Sequence, residues 1–395
     1  MTGAAAAGVA PRLIEAVRHR LAGASHEPTP ARVATALRAE GVVLGDVEVL
    51  TLTSSLRADL AGAGPLEPLL RRADVTDVLV NGPAEVWADS GDGLRRTPVE
   101  FPDEAAVRRL AQRLAASAGR RLDDAAPYVD ARLADGARLH AVLPPIAPGG
   151  TCISLRLPRS RTFTLDELVV SGSLDTDGAR LLAALVRARL AFLVSGGTGT
   201  GKTTLLSGLL GHVDGDERIV LVEDSGELRP DHPHVVRLEA RPANAEGTGA
   251  VTLRDLVRQA LRMRPDRLVV GEVRGAEVAD LLNALNTGHE GGCGTLHANA
   301  AADVPPRLEA LAVAAGLSRG AVHSQLAAAL DVVVHLVRER RDGLRRVAEI
   351  CVLRRGTDDI VRAEPAASFP RGESMVRGAG ADRLHHLLAR RGEDW

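Results

Sequence analysis

Short apolar runs alternate with amphipathic stretches along the second half of the chain. The runs predict strands at residues 191–195, 219–222, 268–270, 294–296, 332–337 and 347–353. The stretches between them predict helices at 181–189, 202–210, 253–263 and 278–285. Strands that alternate with helices form mainly parallel sheets covered by helices. The pattern therefore predicts an α/β domain.

The part of the chain before this region has a different pattern, in which strands dominate. Apolar runs predict strands at 75–80, 85–88, 137–143 and 152–157, and Asn81-Gly82-Pro83 marks a turn between the first two. One amphipathic stretch at 103–120, which Asp103 can cap, predicts a helix. These elements predict a small α+β domain.

The chain has 395 residues, which is too long for one ordinary core, and the two patterns divide it. We expect a helical or flexible N-terminal segment at 1–45, with helices at 12–21 and 31–40, and a further short helix at 51–60. The α+β domain is expected at 46–160, a linker at 161–175, the α/β domain at 176–365 and a peripheral tail at 366–395.

Composition narrows the classes of function. Aromatic residues make up 2% of the chain and the net charge is −2, so no strong footprint for nucleic acid is expected. The sequence has no apolar window long enough for a membrane span and no signal-peptide pattern at its start. Its three cysteines are far apart, which favours buried thiols in a reducing compartment. We expect a cytoplasmic protein that reaches a membrane only through partners.

The strongest chemical signal surrounds Lys202, the only lysine among 49 Lys and Arg residues. Segment 196–203 matches G-x-x-x-x-G-K-T between a predicted strand and a predicted helix. Its glycines let backbone N–H groups point at phosphate oxygens, and the helix N-terminus adds its positive end. Lys202 is expected to reach the terminal phosphates of ATP, and the Thr203 hydroxyl to bind Mg²⁺. The expected nucleotide-binding residues are Gly196, Gly197, Thr198, Gly199, Thr200, Gly201, Lys202, Thr203 and Thr204.

Acidic residues follow two of the predicted strands. The run 268–272 ends in Glu272 and fits a Walker B element, whose acid lies beside the metal. An exposed strand-end glutamate is the simpler alternative. The strand 219–222 is followed by three carboxylates that would polarise a water or hold Mg²⁺, or form only a solvated turn: Glu223, Asp224 and Glu227.

Two histidines lie eight residues apart around a glycine-rich segment. His289 and His297, with Glu290 and Asn299, are candidates for sensing a γ-phosphate, although a single histidine is more often structural. The predicted α+β domain adds three arginines, each either solvated or able to reach developing phosphate charge: Arg132, Arg138 and Arg156.

In combination and order, these motifs resemble the traffic ATPases of type II and type IV secretion systems, and most of all the branch that assembles tight-adherence (Tad/Flp) pili. The four shared boxes are the phosphate loop 196–203, the acidic box 223–227, the variant Walker B segment 271–274 and the histidine box 289–299. The first domain adds segments 64–70, 80–82 and 132–138 and the pair Pro144-Pro145. The resemblance covers residues 60 to 355.

The resemblance implies a fold, an assembly and residue roles. Residues 176–365 would form a RecA-like P-loop NTPase domain, and the smaller α+β domain would be PAS-like. Each subunit of a homo-hexameric ring would clamp Mg-ATP between its domains at the inner face of the cytoplasmic membrane, against an inner-membrane platform protein. By similarity, Glu227 would activate water, Glu272 would act with the metal, and His297 would contact the γ-phosphate. The acidic box itself adds Glu223 as a candidate metal ligand. Contacts to phosphate from the first domain would come from Arg138 and Arg156.

The resemblance leaves three rival classes open. A RecA-like nucleic-acid motor of the conjugation type shares the core, a small-molecule kinase shares the phosphate loop, and a scaffold would bind nucleotide without hydrolysing it. The acidic and histidine boxes favour the secretion or pilus-assembly motor, for which no nucleic-acid partner is expected. At Gly292-Cys293-Gly294 the chain departs from the Ser-Leu-Ala common in relatives, so packing there would differ.

Overall fold

The computed structural model describes residues 16–17, 20, 29–42, 44–50, 52–53, 62–91, 93–158, 162–243, 247–339 and 341–395. The chain divides into two compact units, residues 1–159 and 160–395. The predicted helices at 12–21 and 51–60 lie largely outside the described residues. The helix predicted at 31–40 is present as Pro30–Ala39, and it buries Val33, Ala36 and Leu37 in a small apolar cluster.

The first unit contains a six-stranded antiparallel sheet. Its strands are β1 (Asp77–Asn81), β2 (Val86–Asp89), β3 (Leu94–Arg96), β4 (Tyr128–Arg132), β5 (Arg138–Val142) and β6 (Cys152–Arg156), in the spatial order β3-β2-β1-β6-β5-β4. Short helical turns at Gly64–Leu66 and Glu67–Leu70 precede the sheet. The helix Glu104–Ser117 is capped by Asp103, which accepts a hydrogen bond from the Ala106 N–H, and buries Val107 and Leu110.

Two strands of this sheet were not predicted from the sequence, and both lack an apolar signal. All three residues of β3 are exposed. In β4, Tyr128, Asp130 and Arg132 share one face, so only Val129 and Ala131 on the other face are buried. Pairing with stronger neighbours, rather than hydrophobic patterning, makes these edge segments strands.

The second unit contains a nine-stranded sheet with helices on both faces. Its strands are β7 (Phe192–Gly196), β8 (Ile219–Glu223), β9 (Val235–Glu239), β10 (Arg267–Val270), β11 (Cys293–His297), β12 (Val332–Arg338), β13 (Arg345–Arg355), β14 (Val361–Ser368) and β15 (Val376–Arg377). The spatial order is β15-β14-β13-β12-β7-β11-β10-β8-β9. The strands from β12 to β9 in this order pair in parallel, and the last three strands of the chain pair antiparallel. The mainly parallel α/β sheet predicted from the sequence is therefore present.

The helices of the second unit divide between the two faces of the sheet. They are Leu165–Val170, Thr176–Arg187, Lys202–Leu210, Leu253–Ala260, Glu277–Asn286, Val304–Ala314, Arg319–Ala329 and Ala381–Ala389. Successive residues of a strand point to opposite faces, so Phe192 and Val194 belong to one apolar cluster and Leu193 to the other. The sheet is thus buried on both sides, which explains its near-continuous apolar strands.

The segments expected to be a linker and a peripheral tail are parts of the second unit, which corrects both expectations. Leu165–Val170 is a helix with a Thr164–Glu167 capping box, and its Leu165 and Leu168 join the core. Leu384 and Leu388 of the helix Ala381–Ala389 are fully buried in the same core. The Gly- and Arg-rich composition of the tail hid the apolar face of this helix.

No helix in the described part of the chain has the length and apolar character needed to cross a bilayer.

Candidate functional site

The segment between β7 and the helix Lys202–Leu210 has the curled backbone expected of a phosphate loop. Gly199 and Gly201 have φ of +72° and +94°, in the left-handed region where other residues are strained. A Cβ on Gly196 would lie 2.6 Å from the Leu336 carbonyl oxygen, so no side chain fits there. Lack of space therefore requires glycine at position 196, and backbone conformation requires it at 199 and 201.

Lys202 begins the helix, and its side chain folds back over the loop. The residue is only 7% exposed. Its Nζ donates hydrogen bonds to the Gly196 and Gly197 carbonyls at 3.1 and 2.9 Å, and lies 3.4 Å from His297 Nδ1. Burial lowers the pKa of Lys202, while the charges of Glu272 and Glu227 oppose that shift. The only ammonium side chain of the protein is thus held inside the loop.

His297 connects this lysine to Glu272. The ring lies at the carboxyl end of β11, and its Nε2 is 2.8 Å from Glu272 Oε1. Burial and the charge of Lys202 lower the pKa of His297, and Glu272 partly offsets them. The carboxyl ends of parallel strands meet at one edge of a sheet, so residues after β7, β10 and β11 come together although 95 positions separate Lys202 from His297.

Glu272 follows β10 in a loop that is tied down on two sides. The Val273 N–H donates to the Thr295 carbonyl at 2.8 Å, and the Thr295 hydroxyl donates to the Gly271 carbonyl at 2.6 Å. Buried Glu277 accepts hydrogen bonds from the Arg274 and Gly275 N–H groups at 2.6 and 2.7 Å. These bonds hold the Glu272 carboxylate beside His297. Sequence reasoning missed Glu277, because it is the first residue of the helix after Ala276 and forms no capping box that the sequence would show.

The acidic box is organised by its first residue. Glu223 ends β8 and is 3% exposed, and its Oε1 accepts hydrogen bonds from the Glu227 and Leu228 N–H groups, both at 2.9 Å. Burial raises the pKa of Glu223, and the two N–H donors oppose the shift. Its Oε2 is buried and has no hydrogen-bond partner among the described residues. Glu227 itself is exposed, and Asp224 forms an ion pair with Arg274.

The residues around the loop have donor types that suit Mg²⁺ with a nucleotide. Thr203 and Thr204 are half-buried in the first turn of the helix, next to Lys202. In the described part of the chain no group of three or more His, Cys, Asp or Glu could hold a metal. Mg²⁺ in nucleotide sites takes one or two carboxylates and a hydroxyl, and fills its other positions with water and phosphate oxygens. The Thr203 hydroxyl, the unpartnered Glu223 Oε2 and Glu272 fit that pattern.

The two histidines of the histidine box do not meet. His289 and Glu290 precede β11, whereas His297 is its last residue, so the other four residues of this strand lie between them. His289 Nδ1 lies 3.2 Å from the Ala284 carbonyl, and Glu290 pairs with Arg391. The two histidines therefore do not act together at one sheet edge, because the first and last residues of β11 are about 13 Å apart.

The candidate arginines of the first unit lie in a row across its sheet. Arg132 pairs with Arg138 on neighbouring strands, and Arg138 pairs with Arg156 on the next. Arg138 forms an ion pair with Asp130 at 3.0 Å, and Arg156 with Asp77 at 3.2 Å. Like charges directly opposite each other destabilise a sheet. This row of positive charges therefore lowers the stability of the sheet.

Comparison with known proteins identifies the family. The type II/IV secretion system protein family matches residues 59–379. The chain belongs to this family.

Individual relatives agree with that membership. A putative conjugal transfer protein of Mycobacterium tuberculosis (strain H37Rv) is 58% identical over 355 residues, which cover 88% of this chain and 99% of the relative. The type IV secretion system protein PtlH of Bordetella pertussis is 34% identical over 314 residues, covering 72% of this chain and 92% of PtlH. This family member is therefore related over most of its length to proteins named for secretion and for conjugal transfer.

A solved structure supports the fold. The pilus retraction motor PilT with bound ADP aligns with a TM-score of 0.52 and 18% identity, over 83% of this chain and 85% of PilT. At this identity the similarity concerns the fold alone.

Proposed function

We propose that this family member is an ATP-hydrolysing motor subunit that drives pilus assembly or protein secretion, of the tight-adherence (Tad/Flp) type. The observation that carries the proposal is the chain of contacts from Lys202 through His297 to Glu272, at 3.4 and 2.8 Å, on the inner side of a phosphate loop. A loop that only binds phosphate does not need an acid and a histidine converging on its lysine. A site that stabilises charge moving between phosphate oxygens does.

The proposed division of roles follows from position and charge. Lys202 would offset charge on the β- and γ-phosphates, and His297 would contact the γ-phosphate. Glu227, exposed at the end of the acidic box, would orient and deprotonate the attacking water. Mg²⁺, held by Thr203 with Glu272 and Glu223, would neutralise charge on the transferring group. Glu223 also positions Glu227, because one of its oxygens binds the Glu227 N–H.

The arginine row of the first unit is the proposed second source of phosphate contacts. Arg138 forms an ion pair with Asp130, and Arg156 with Asp77, at partly exposed positions. Exposed ion pairs contribute little to stability, so an anionic ligand could replace the aspartates at small cost. We propose that ATP binding engages these arginines and closes the RecA-like and PAS-like domains of a subunit, and that phosphate release reopens them.

Steady-state ATPase assays of Lys202→Ala and Glu227→Gln test the reaction. We expect kcat/KM of Lys202→Ala to fall by a factor on the order of 10² to 10³, because a cation facing the transition-state charge is removed. We expect kcat of Glu227→Gln to fall by about 10² or more, with nucleotide binding retained. Glu373→Gln, which changes an exposed glutamate in the same unit, is the matched control. Wild-type turnover in both site variants would refute the proposed reaction.

The same assay examines the first unit. Arg138→Ala and Arg156→Ala should lower kcat, whereas Arg71→Ala, which removes another exposed arginine with a surface ion pair, should not. If all three variants behave like the wild type, the arginine row has no role in hydrolysis and the phosphate contacts come from the second unit alone.

A conjugation-type nucleic-acid motor is the second candidate, and the name of the Mycobacterium tuberculosis relative favours it. The low aromatic content and the net charge of −2 argue against direct action on nucleic acid. ATPase activity measured with and without single- and double-stranded DNA separates the two. We expect no stimulation; a salt-sensitive rise in kcat with DNA would favour the conjugation motor.

A further inference from the structure

The phosphate loop has a second neighbour that none of the sequence motifs includes, the hairpin between β12 and β13. In the sheet, β7 pairs with β11 on one side and with β12 on the other. Leu336 of β12 lies opposite Gly196. Just beyond it, Arg338 and Arg345 occupy paired positions at the base of the hairpin. The loop therefore lies between two sets of side chains. Glu272 and His297, after β10 and at the end of β11, form an acidic wall, and Arg338 and Arg345 form a basic wall on the side of β12.

Arg345 is bonded to the loop itself. Its Nε donates a hydrogen bond to the Gly199 carbonyl at 2.8 Å, and its Cδ lies 3.6 Å from the position of a Cβ on Gly201. The Gly199 carbonyl and the Thr200 N–H belong to one planar trans peptide, so they point in opposite directions. A bond that holds this carbonyl toward the hairpin therefore turns the Thr200 N–H away from the hairpin and into the loop, where phosphate oxygens would bind.

Arg338 is directed at the same peptide. Its Nη1 lies 3.7 Å from the position of a Cβ on Gly199, and its Nη2 lies 3.6 Å from the equivalent position on Gly343. Gly343 has φ of +72°, a conformation that favours glycine in the hairpin turn. Within the described residues, Arg338 has no carboxylate partner, so its planar charge stays available for an anion.

The direction of a bound nucleotide follows from the two walls. Lys202, His297 and Glu272 surround the end of the loop where the terminal phosphates would lie. A triphosphate on the loop must then carry its α-phosphate and nucleoside away from that acidic side. The basic wall lies on the side of β7 opposite β11. An arginine in the basic wall would therefore contact the α-phosphate rather than the γ-phosphate.

We propose that the β12–β13 hairpin forms the nucleoside-side wall of the nucleotide site. Arg345 is a positioning residue that orients the Thr200 N–H through the Gly199 carbonyl, and Arg338 donates hydrogen bonds to the α-phosphate. This inference rests on the proposed function, since it requires a nucleotide on the loop.

Dissociation constants for ATP and ADP, measured by displacement of a fluorescent nucleotide from the full-length chain, test the proposal. Arg338→Ala should raise the dissociation constants of ATP and ADP by the same factor, about tenfold. The reason is that the α-phosphate is common to both nucleotides and a charge-assisted hydrogen bond to it is lost. Arg345→Ala should weaken both nucleotides about tenfold and also lower kcat, because the loop changes shape. Arg345→Lys should recover most of the binding, since an ammonium can donate the same bond.

Arg354→Ala is the matched control, because Arg354 is another exposed arginine on β13 with a surface partner, Glu364. Its affinities and kcat should equal those of the wild type. Weakened ATP binding with unchanged ADP binding in Arg338→Ala would place that arginine at the γ-phosphate and overturn the assignment. Unchanged affinities in both hairpin variants, with binding lost in Lys202→Ala, would overturn this inference and leave the proposed function standing. A wild-type chain that binds neither nucleotide would overturn both.

Discussion

His335 is a buried titratable residue that contacts the strand leading into the phosphate loop. It is 3% exposed on β12, and its Nδ1 lies 2.9 Å from the hydroxyl of Ser195, the residue before Gly196. Burial lowers the pKa of His335 below its ordinary value of about 6.5, while Glu349, a backbone bond to Asn299 and Asp303 oppose the shift. The ring thus ties the strand of the phosphate loop to β12 and to the end of the histidine box.

The lowered pKa of His335 predicts a pH dependence of stability. Above pH 6.5 the ring is neutral in both folded and unfolded chains, so it adds no pH dependence. As pH falls through 6.5 the unfolded chain takes up a proton that the folded chain resists, so the free energy of unfolding decreases, by at most about 1.4 kcal/mol per pH unit. Urea unfolding between pH 7.5 and 5.5 should therefore show a shallower decline for His335→Gln than for the wild type. The exposed His385→Gln is the control; equal slopes for all three proteins would contradict the assignment.

At the scale of residues, the sequence predicted a role correctly where that role depends on a single residue type within a short segment. The phosphate loop could be recognised because only glycine and a single lysine satisfy its backbone and charge requirements. Ser195 and His335 escaped notice because they lie on different strands, 140 positions apart, and no local pattern indicates a hydrogen bond between them. The two histidines of the histidine box were grouped together although the strand predicted at 294–296 lies between them, because their spacing in the sequence does not show which of them reaches Lys202.

At the scale of elements, the C-terminal helix Ala381–Ala389 is attached to the core rather than peripheral. Its Leu384 and Leu388 are fully buried. Arg391 binds Glu290 through two contacts at 2.6 and 3.0 Å, and Glu393 binds Arg187 at 2.7 Å. Glu290 lies in the segment that leads into β11, and the pKa of its carboxyl is lowered chiefly by Arg391. The helix therefore secures the strand whose other end carries His297.

Truncation of one buried side chain on this helix measures how much the helix contributes to the free energy of unfolding. Leu388→Ala should lower the free energy of unfolding by about 2 to 5 kcal/mol, because a filled core position becomes a cavity. His385→Ala, on the exposed side of the same helix, should change it by less than about 0.5 kcal/mol. Denaturant titration gives both values. A loss below 1 kcal/mol for Leu388→Ala would show that the helix is only loosely attached.

At the scale of the whole molecule, the chain consists of two units with separate apolar cores. The proposed motor is a ring of six such chains. If ring formation organises the site, specific ATPase activity should rise with protein concentration and level off when assembly is complete. Light scattering with Mg-ATP should then give a mass near six times 41.4 kDa. Full activity in a particle of single-chain mass would contradict the ring.

The sequence by itself determined the α/β class of the second unit, the antiparallel pairs around Asn81-Gly82-Pro83, the phosphate loop and the acid after β10. These features depend on local periodicity, turn chemistry and backbone conformation, which are properties of short segments. The tertiary structure alone decided that His297 links Lys202 to Glu272, that Arg132, Arg138 and Arg156 form a row, and that the tail belongs to the core. Such contacts join residues that are far apart in the chain. Strand order and register bring these residues together, and short segments do not encode either property.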